Sequence, residues 1–176
     1  TTSTLQQEAS LKLGFTVSRT MQVAQRLYEA GRITYMRTDS VNLSDTAIKA
    51  AKKEIVKAYG DEFSEVRKYN TKSAGAQEAH EAIRPSSVDV KSEDLNGVDA
   101  DAHKLYSLIW NQFVACQMTP AQYDSTTVSV KAEEYTLKAK GRILKFDGWT
   151  RVQRPMGKNE DTILPAVQIG DKLDLI

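Results

Sequence analysis

The sequence predicts a mainly α-helical domain followed by part of an antiparallel β domain, which makes the chain a multi-domain α+β fragment. Before Pro120, apolar residues recur every three or four positions in segments bounded by capping residues and glycines, a pattern typical of amphipathic helices. After Pro120, β-branched and aromatic residues alternate with polar ones, which is typical of strands. We therefore place a helical domain at 1–120 and part of a β domain at 121–176.

Four helices are predicted at 3–13, 18–30, 44–59 and 100–118, and a short helical turn is predicted at 77–83. Each long segment begins near a capping residue or ends at a glycine or ahead of a proline. Their inner faces are expected to carry Leu5, Ala9 and Leu13; Met21, Ala24, Leu27 and Tyr28; Ile48, Ala51, Ile55 and Tyr59; and Leu105, Ile109, Phe113 and Cys116. The lysines of the third helix are interpreted as a solvated face.

Strand patterns follow at 123–131, 135–140, 162–167 and 172–176, and the letters FDGW at 146–149 predict a tight hairpin turn. These strands do not visibly complete a sheet. The sequence also lacks an initiating Met and ends within a strand pattern, so we expect it to belong to something longer.

Composition restricts the possible functions. Lys and Arg total 24 against 23 Asp and Glu, so any nucleic-acid contact must come from a local site rather than from an overall basic charge. The single cysteine, Cys116, excludes an intramolecular disulfide and is expected to be a buried core residue in a reduced, cytosolic setting. No apolar stretch is long enough to indicate a membrane span or an export signal.

The segment ITYMRTDS, directly after the second helix, contains a candidate nucleophile. A tyrosine hydroxyl has a pKa of about 10, so it attacks poorly unless its proton is removed or the developing oxyanion is stabilised. In an extended segment Tyr35 and Arg37 project from one face, where the guanidinium could neutralise a phosphodiester that the phenolate attacks in line. Asp39 continues that face and could orient the guanidinium. Taken alone, the same residues also fit an ordinary strand with a surface ion pair.

A second candidate lies in QEAHEAIRPS. His80 and Arg84 are four residues apart, on one helical face if the turn persists, and together they could bind a second phosphate or hold the scissile one. The alternative is a solvent-facing histidine beside Glu78 and Glu81. His103 is interpreted as a polar position near a helix start.

Several long segments in order resemble bacterial DNA topoisomerase I, the type IA class, along nearly the whole chain. They are TSTLQQEASLKLGF, RTMQVAQRLYEAGRITYMRTDS, QEAHEAIRPS and LYSLIWNQFVACQMTPAQYDSTT. Met36 indicates the subgroup, because the topoisomerase III branch resembles YPRTDS at this motif and reverse gyrase resembles YHRTDS.

The resemblance implies an ATP-independent enzyme that relaxes negatively supercoiled DNA by transient single-strand cleavage, strand passage and religation. It implies that Tyr35 forms a 5′-phosphotyrosine link and that Arg37 is the cation beside the scissile phosphate. It further implies that His80 binds and positions the DNA strand. With Arg84 as a further DNA contact and Asp39 in support, these are the expected site residues.

The resemblance also implies the rest of the assembly. The helical domain would be the winged-helix-like, tyrosine-bearing domain, and the β region part of an arch whose other half lies upstream of Thr1. Mg²⁺ would be bound by the acidic cluster of a Toprim domain that this chain lacks, so no metal site is expected here and the isolated chain is expected to be inactive. Expected partners are single-stranded DNA and the remaining domains of a monomeric, cytoplasmic, nucleoid-associated bacterial protein.

Two other classes remain open at this point. Two capped helices followed by a strand also describe a winged-helix DNA-binding module, in which the second helix enters the major groove and Tyr35 is structural. A structural or interaction domain without a DNA role would leave single-stranded oligonucleotide binding insensitive to Arg37→Ala and His80→Ala.

Overall fold

The computed structural model describes residues 1–69, 81–154 and 162–172. These residues contain four α-helices followed by one antiparallel pair of strands, which confirms the predicted order of α and β regions. The winged-helix likeness is not confirmed, because β structure in the described part of the first 120 residues is limited to isolated bridges. The elements are α1 (Thr2–Leu13), α2 (Val17–Glu29), α3 (Asp45–Tyr59), α4 (Ala100–Ala115), β1 (Gln122–Ala132) and β2 (Tyr135–Phe146).

Each helix begins at a side chain that accepts a hydrogen bond from its first turn, which satisfies a backbone N–H that has no intrahelical partner. The four caps are Thr1, Thr16, Ser44 and Asp99. The predicted start of α1 at Ser3 is therefore wrong, because the Thr1 hydroxyl accepts from the Thr4 backbone N–H and the helix begins one residue earlier.

The fourth helix is shorter than predicted. It ends at Ala115, and the chain then pairs with the segment after α3 through the bridge between Ser64 and Met118. The Thr119 N–H likewise donates to the Phe63 carbonyl, at 3.0 Å. Pairing with that segment requires extended backbone near Met118, where the sequence pattern predicts helix.

The core lies around α4, which packs against the other three helices and carries the fully buried Leu105 and Val114. One inner position predicted for α2 is wrong: Tyr28 is 40% exposed, whereas Met21 is partly buried and packs against the core. The fully buried face of α2 consists of Thr20, Val23, Ala24 and Leu27. Cys116 is half-buried rather than enclosed in the core, and desolvation raises the pKa of its thiol.

The two strands form a long hairpin whose turn lies at Glu133, a residue with positive φ, and Glu134. The hairpin turn predicted at 146–149 is wrong, because Gly148–Arg151 is a short 3₁₀ helix. A Cβ on Gly148 would lie 2.4 Å from the Thr119 carbonyl oxygen, so this glycine allows the base of the hairpin to pack against the helical region.

Two further predictions differ from the structure. Residues 162–167 do not form a strand; Thr162 makes only an isolated bridge to Arg142, and of 172–176 only Lys172 is described, outside any strand. Residues 77–80 of the predicted helical turn lie outside the described residues, and 81–84 are not helical because their backbone groups bond to neighbouring segments. Among the described residues, no helix is long and apolar enough to cross a membrane.

Candidate active site around Tyr35

The segment after α2 alternates between exposed and buried side chains. Tyr35 is 45% exposed and Met36 is completely buried, and Thr38 and Ser40 are also buried. Arg37 and Asp39 are exposed. The segment bends at residues 36 and 37 and is therefore not a regular strand. The three candidate side chains are nevertheless exposed to solvent, while the buried residues between them anchor the backbone in the core.

On the N-terminal side of Tyr35, the chain is tied to residues 82–86. The Thr34 N–H donates to the Arg84 carbonyl at 2.9 Å, and the Arg84 N–H donates to the Thr34 hydroxyl at 2.9 Å. The same hydroxyl donates to the Ala82 carbonyl at 2.8 Å, and Ile33 forms a bridge with Pro85. Thr34 is thus held through its backbone and its side chain.

On the C-terminal side, the chain is tied to the first residue of α1. The Thr2 N–H donates to the Thr38 carbonyl at 2.8 Å, and the Thr38 N–H donates to the Thr2 hydroxyl at 2.9 Å. The Thr2 hydroxyl lies 2.7 Å from the Met36 carbonyl oxygen, to which it donates. Neither Thr2 nor Thr34 stands out in the sequence, because no local pattern reveals which distant backbone a threonine will meet.

The Tyr35 ring meets the Tyr28 ring of α2 edge to face, with centroids 5.2 Å apart. Such aromatic pairs favour one ring orientation over others. In the part of the chain that the structure describes, no hydrogen bond engages the Tyr35 hydroxyl. The phenol oxygen is therefore displayed rather than used in the fold.

Arg37 borders an open groove of about 630 Å³ along the exposed face of α2. The groove is lined by Ser18, Met21, Gln22, Gln25, Arg26 and Arg37. Arg26 already pairs with Asp99 at 2.6 Å, so Arg37 is the guanidinium that this groove offers to an anionic ligand. No ion pair joins Arg37 to Asp39, both of which are described, so the expected orienting role of Asp39 stays a prediction.

Arg84 makes contacts within the protein. Its Nε and one terminal nitrogen each donate to Glu81 at 2.8 Å, and the other terminal nitrogen donates to the Pro85 carbonyl at 2.9 Å. Burial raises the pKa of Glu81, but hydrogen bonds from Arg84 and from the Ser44 N–H outweigh it and leave that pKa below the usual value. A DNA contact by Arg84 stays a prediction, and His80 lies outside the described residues.

Over 1–69, 81–154 and 162–172, no group of three His, Cys, Asp or Glu side chains could hold a metal ion. The described site can thus present a phenol and a nearby guanidinium to a ligand. It offers no metal-binding group, and no described carboxylate or imidazole bonds to the phenol that would accept its proton.

Comparison with known proteins shows the family to which the chain belongs. The sequence profile of the family described as DNA topoisomerase matches residues 1–176. The chain is 70% identical to DNA topoisomerase 1 of Vibrio cholerae, over 99% of this chain and 20% of the relative. It is 58% identical to DNA topoisomerase 1 of Escherichia coli with the same coverage of both chains.

A solved structure gives the same result. Full-length topoisomerase I from Thermotoga maritima superposes with a TM-score of 0.79 at 36% identity, covering 95% of this chain and 28% of that one. The chain therefore belongs to the DNA topoisomerase family. Within it, the resemblance to bacterial DNA topoisomerase I is confirmed, and the chain spans about a fifth of the length of the curated relatives it matches.

Proposed function

We propose that the complete protein containing this chain is a type IA DNA topoisomerase and that Tyr35 is its nucleophile. The proposal is supported above all by one observation: the Tyr35 phenol is exposed on a backbone held at Thr34 and Thr38, in a chain of the topoisomerase family. The enzyme would relax negatively supercoiled DNA by cleaving one strand, passing the other and resealing the first.

The proposed cleavage exchanges one phosphodiester for another. The Tyr35 oxygen forms a bond to phosphorus while the bond from phosphorus to the 3′-oxygen breaks, and the electron pair leaves with that oxygen. The departing oxygen takes up a proton as a free 3′-hydroxyl, and the phenol gives up its proton. Because the new ester retains the bond energy, the 3′-hydroxyl can reverse the step, so no nucleotide hydrolysis is required.

Arg37 would neutralise the non-bridging oxygens as negative charge gathers in the transition state. Its exposure and its position in the groove beside α2 support this role. His80 and Arg84 would bind and position the strand, with Asp39 in support. Arg84 is paired with Glu81. To bind a phosphate, it must either contact the phosphate while keeping that ion pair or give up the ion pair.

The remaining parts of the enzyme would lie outside this chain. Mg²⁺ would be held by the acidic cluster of a Toprim domain, where it would assist proton transfer, as the resemblance to the type IA class implies. Residues 1–120 would form the tyrosine-bearing domain and 121–176 part of the arch. We expect the isolated 176-residue chain not to relax supercoiled plasmid; robust relaxation by it would contradict this division.

The test compares Tyr35→Phe with Tyr28→Phe in the complete protein. Tyr28 is the matched control, because its ring touches that of Tyr35 and phenylalanine keeps the ring. With an end-labelled single-stranded oligonucleotide, Tyr35→Phe should abolish the covalent protein–DNA adduct and retain binding, while Tyr28→Phe should keep both. Peptide mapping of the wild-type adduct should place the DNA on Tyr35. A winged-helix reader of duplex DNA would form no adduct in any variant.

A further inference from the structure

We propose that Thr2 is a positioning residue for the Tyr35 nucleophile, an inference that rests on the proposed function. Thr2 meets both backbone polar groups of Thr38: its N–H donates to the carbonyl and its hydroxyl accepts from the N–H. The same hydroxyl lies 2.7 Å from the Met36 carbonyl oxygen and 3.0 Å from that of Thr38. One side chain thus links α1 to the two residues on either side of Arg37.

The chemistry of these contacts requires a hydroxyl. A serine or threonine oxygen donates one hydrogen bond and accepts others at the same time, whereas valine, with the same shape, can do neither. The single hydroxyl proton serves the Met36 and Thr38 carbonyls, and the lone pairs receive the Thr38 N–H. The Thr2 N–H belongs to the first turn of α1, where a backbone donor has no intrahelical acceptor.

We call the hydrogen bonds that join Thr2 to Met36 and Thr38 the Thr2 clamp. They hold the backbone that carries the candidate reacting groups. Tyr35 precedes the buried Met36, and Arg37 lies between the two clamped residues. In the described part of the chain, neither exposed side chain has a polar partner to hold it. Apart from the contact of the Tyr35 ring with Tyr28, their location therefore depends on the main chain that carries them. A misplacement of about 1 Å at a reacting group can reduce the rate about a hundredfold.

Thr2 connects this backbone to the rigid part of the molecule. Leu5 and Ala9 bury one face of α1, which packs against α2 and α4. On the other side of Tyr35, Thr34 bonds to residues 82 and 84. The nucleophile is thus held between two threonine clamps, and the one at Thr2 runs through a helix that does not itself carry Tyr35.

The test uses the complete protein with Thr2→Val, Thr2→Ser and, as control, Thr20→Val. Thr20 is completely buried and its hydroxyl donates to the Thr16 carbonyl at 2.9 Å, so its replacement also removes one hydroxyl hydrogen bond from the fold. We expect Thr2→Val to lower kcat for oligonucleotide cleavage about tenfold to a hundredfold with KM unchanged. Thr2→Ser should restore the rate, and Thr20→Val should lower thermal stability without changing kcat.

Hydrogen exchange adds a measurement that does not depend on activity. The Thr38 N–H donates to the Thr2 hydroxyl, so exchange at Thr38 should accelerate in Thr2→Val and stay slow in Thr2→Ser. If Thr2→Val cleaves like wild type, or slows only as much as Thr20→Val, the positioning role is overturned while the wild-type adduct on Tyr35 still supports the proposed function. If the wild-type protein forms no adduct on Tyr35, both proposals fail.

Discussion

The helical region and the β hairpin are stabilised in different ways. Helix α4 alone places nine buried residues among its neighbours, whereas no residue of β1 or β2 is buried. The hairpin is joined to the helical region at its base. There the Phe146 ring packs at a tilt against Phe63, with ring centroids 4.7 Å apart, and the Trp149 backbone N–H donates to the Thr119 carbonyl. An isolated two-stranded hairpin is only marginally stable in water. We therefore expect the contacts at the base to supply most of the stability of this hairpin.

This difference indicates where a precise chemical group can be placed. Tyr35 sits on backbone that is anchored by Met36 and Thr38 in the helical core, so its surroundings are fixed by packing. The hairpin presents exposed apolar side chains such as Tyr135 and Leu137, which are 66% and 58% exposed. The following substitutions test the contrast, from the largest expected effect to the smallest.

Matched leucine truncations probe the contrast most strongly. Leu105→Ala removes a completely buried side chain from α4 and should lower the free energy of unfolding by about 2–5 kcal/mol. Leu137→Ala, in the exposed part of β2, should change it by less than about 0.5 kcal/mol. Denaturant unfolding monitored by circular dichroism measures both. An equal loss of unfolding free energy in the two variants would show that Leu137 is packed as tightly as the residues of the helical core.

Matched glycine substitutions probe the base of the hairpin. Gly148 and Gly97 both have positive φ, 49° and 74°, but only the Gly148 Cβ would meet other backbone, 2.4 Å from the Thr119 oxygen. Gly97→Ala should cost about 1 kcal/mol of unfolding free energy for the left-handed conformation alone. Gly148→Ala should cost about 1–3 kcal/mol more, since the base must shift.

The Gly148 variant should also show where the hairpin is attached. Amide exchange should accelerate in β1 and β2 in Gly148→Ala and stay unchanged there in Gly97→Ala. Similar exchange in both variants would mean that the hairpin is held by something other than its base.

The smallest expected effect concerns the segment that borders Tyr35 and its response to pH. The pKa of Glu81 is lowered in the folded protein by Arg84 and the Ser44 N–H, despite burial. A lowered folded pKa means that ionised Glu81 stabilises the fold fully above its unfolded pKa of about 4.3. This stabilisation is lost as pH falls through the lower, folded value.

Glu81→Gln should therefore reduce the unfolding free energy by no more than about 1 kcal/mol at neutral pH. The difference from wild type should close under acid conditions, where both proteins lack the charge. Urea unfolding at a series of pH values measures this, with Glu134→Gln in the exposed hairpin turn as the control. A difference that persists unchanged at low pH would show that the Glu81 charge is not what matters.

The sequence predicted well whatever depends on local pattern. The helical pattern located four helices to within a few residues. The alternating pattern located both strands of the hairpin, but the second runs to Phe146 and not only to Lys140 as predicted. At 35–39 the side chains alternate between exposed and buried, as an extended segment predicts. That Tyr35, Arg37 and Asp39 lie on one face stays a prediction, because the segment bends at residues 36 and 37.

The sequence predicted poorly what depends on distant partners. The letters FDGW are typical of a hairpin turn, but Phe146 ends β2 and Gly148–Arg151 forms a 3₁₀ helix. The hairpin turn falls at two glutamates instead. Residues 162–167 alternate like a strand, but in the described chain they have only the bridge from Thr162 to Arg142 to pair with. The clamp at Thr2 joins residues 36 positions apart, a distance over which no local pattern carries information.

Met36, which lies between the exposed Tyr35 and Arg37, faces inward and is wholly enclosed. A substitution at position 36 would therefore change the core packing that supports the Tyr35 backbone, and it would leave the exposed surface unaltered.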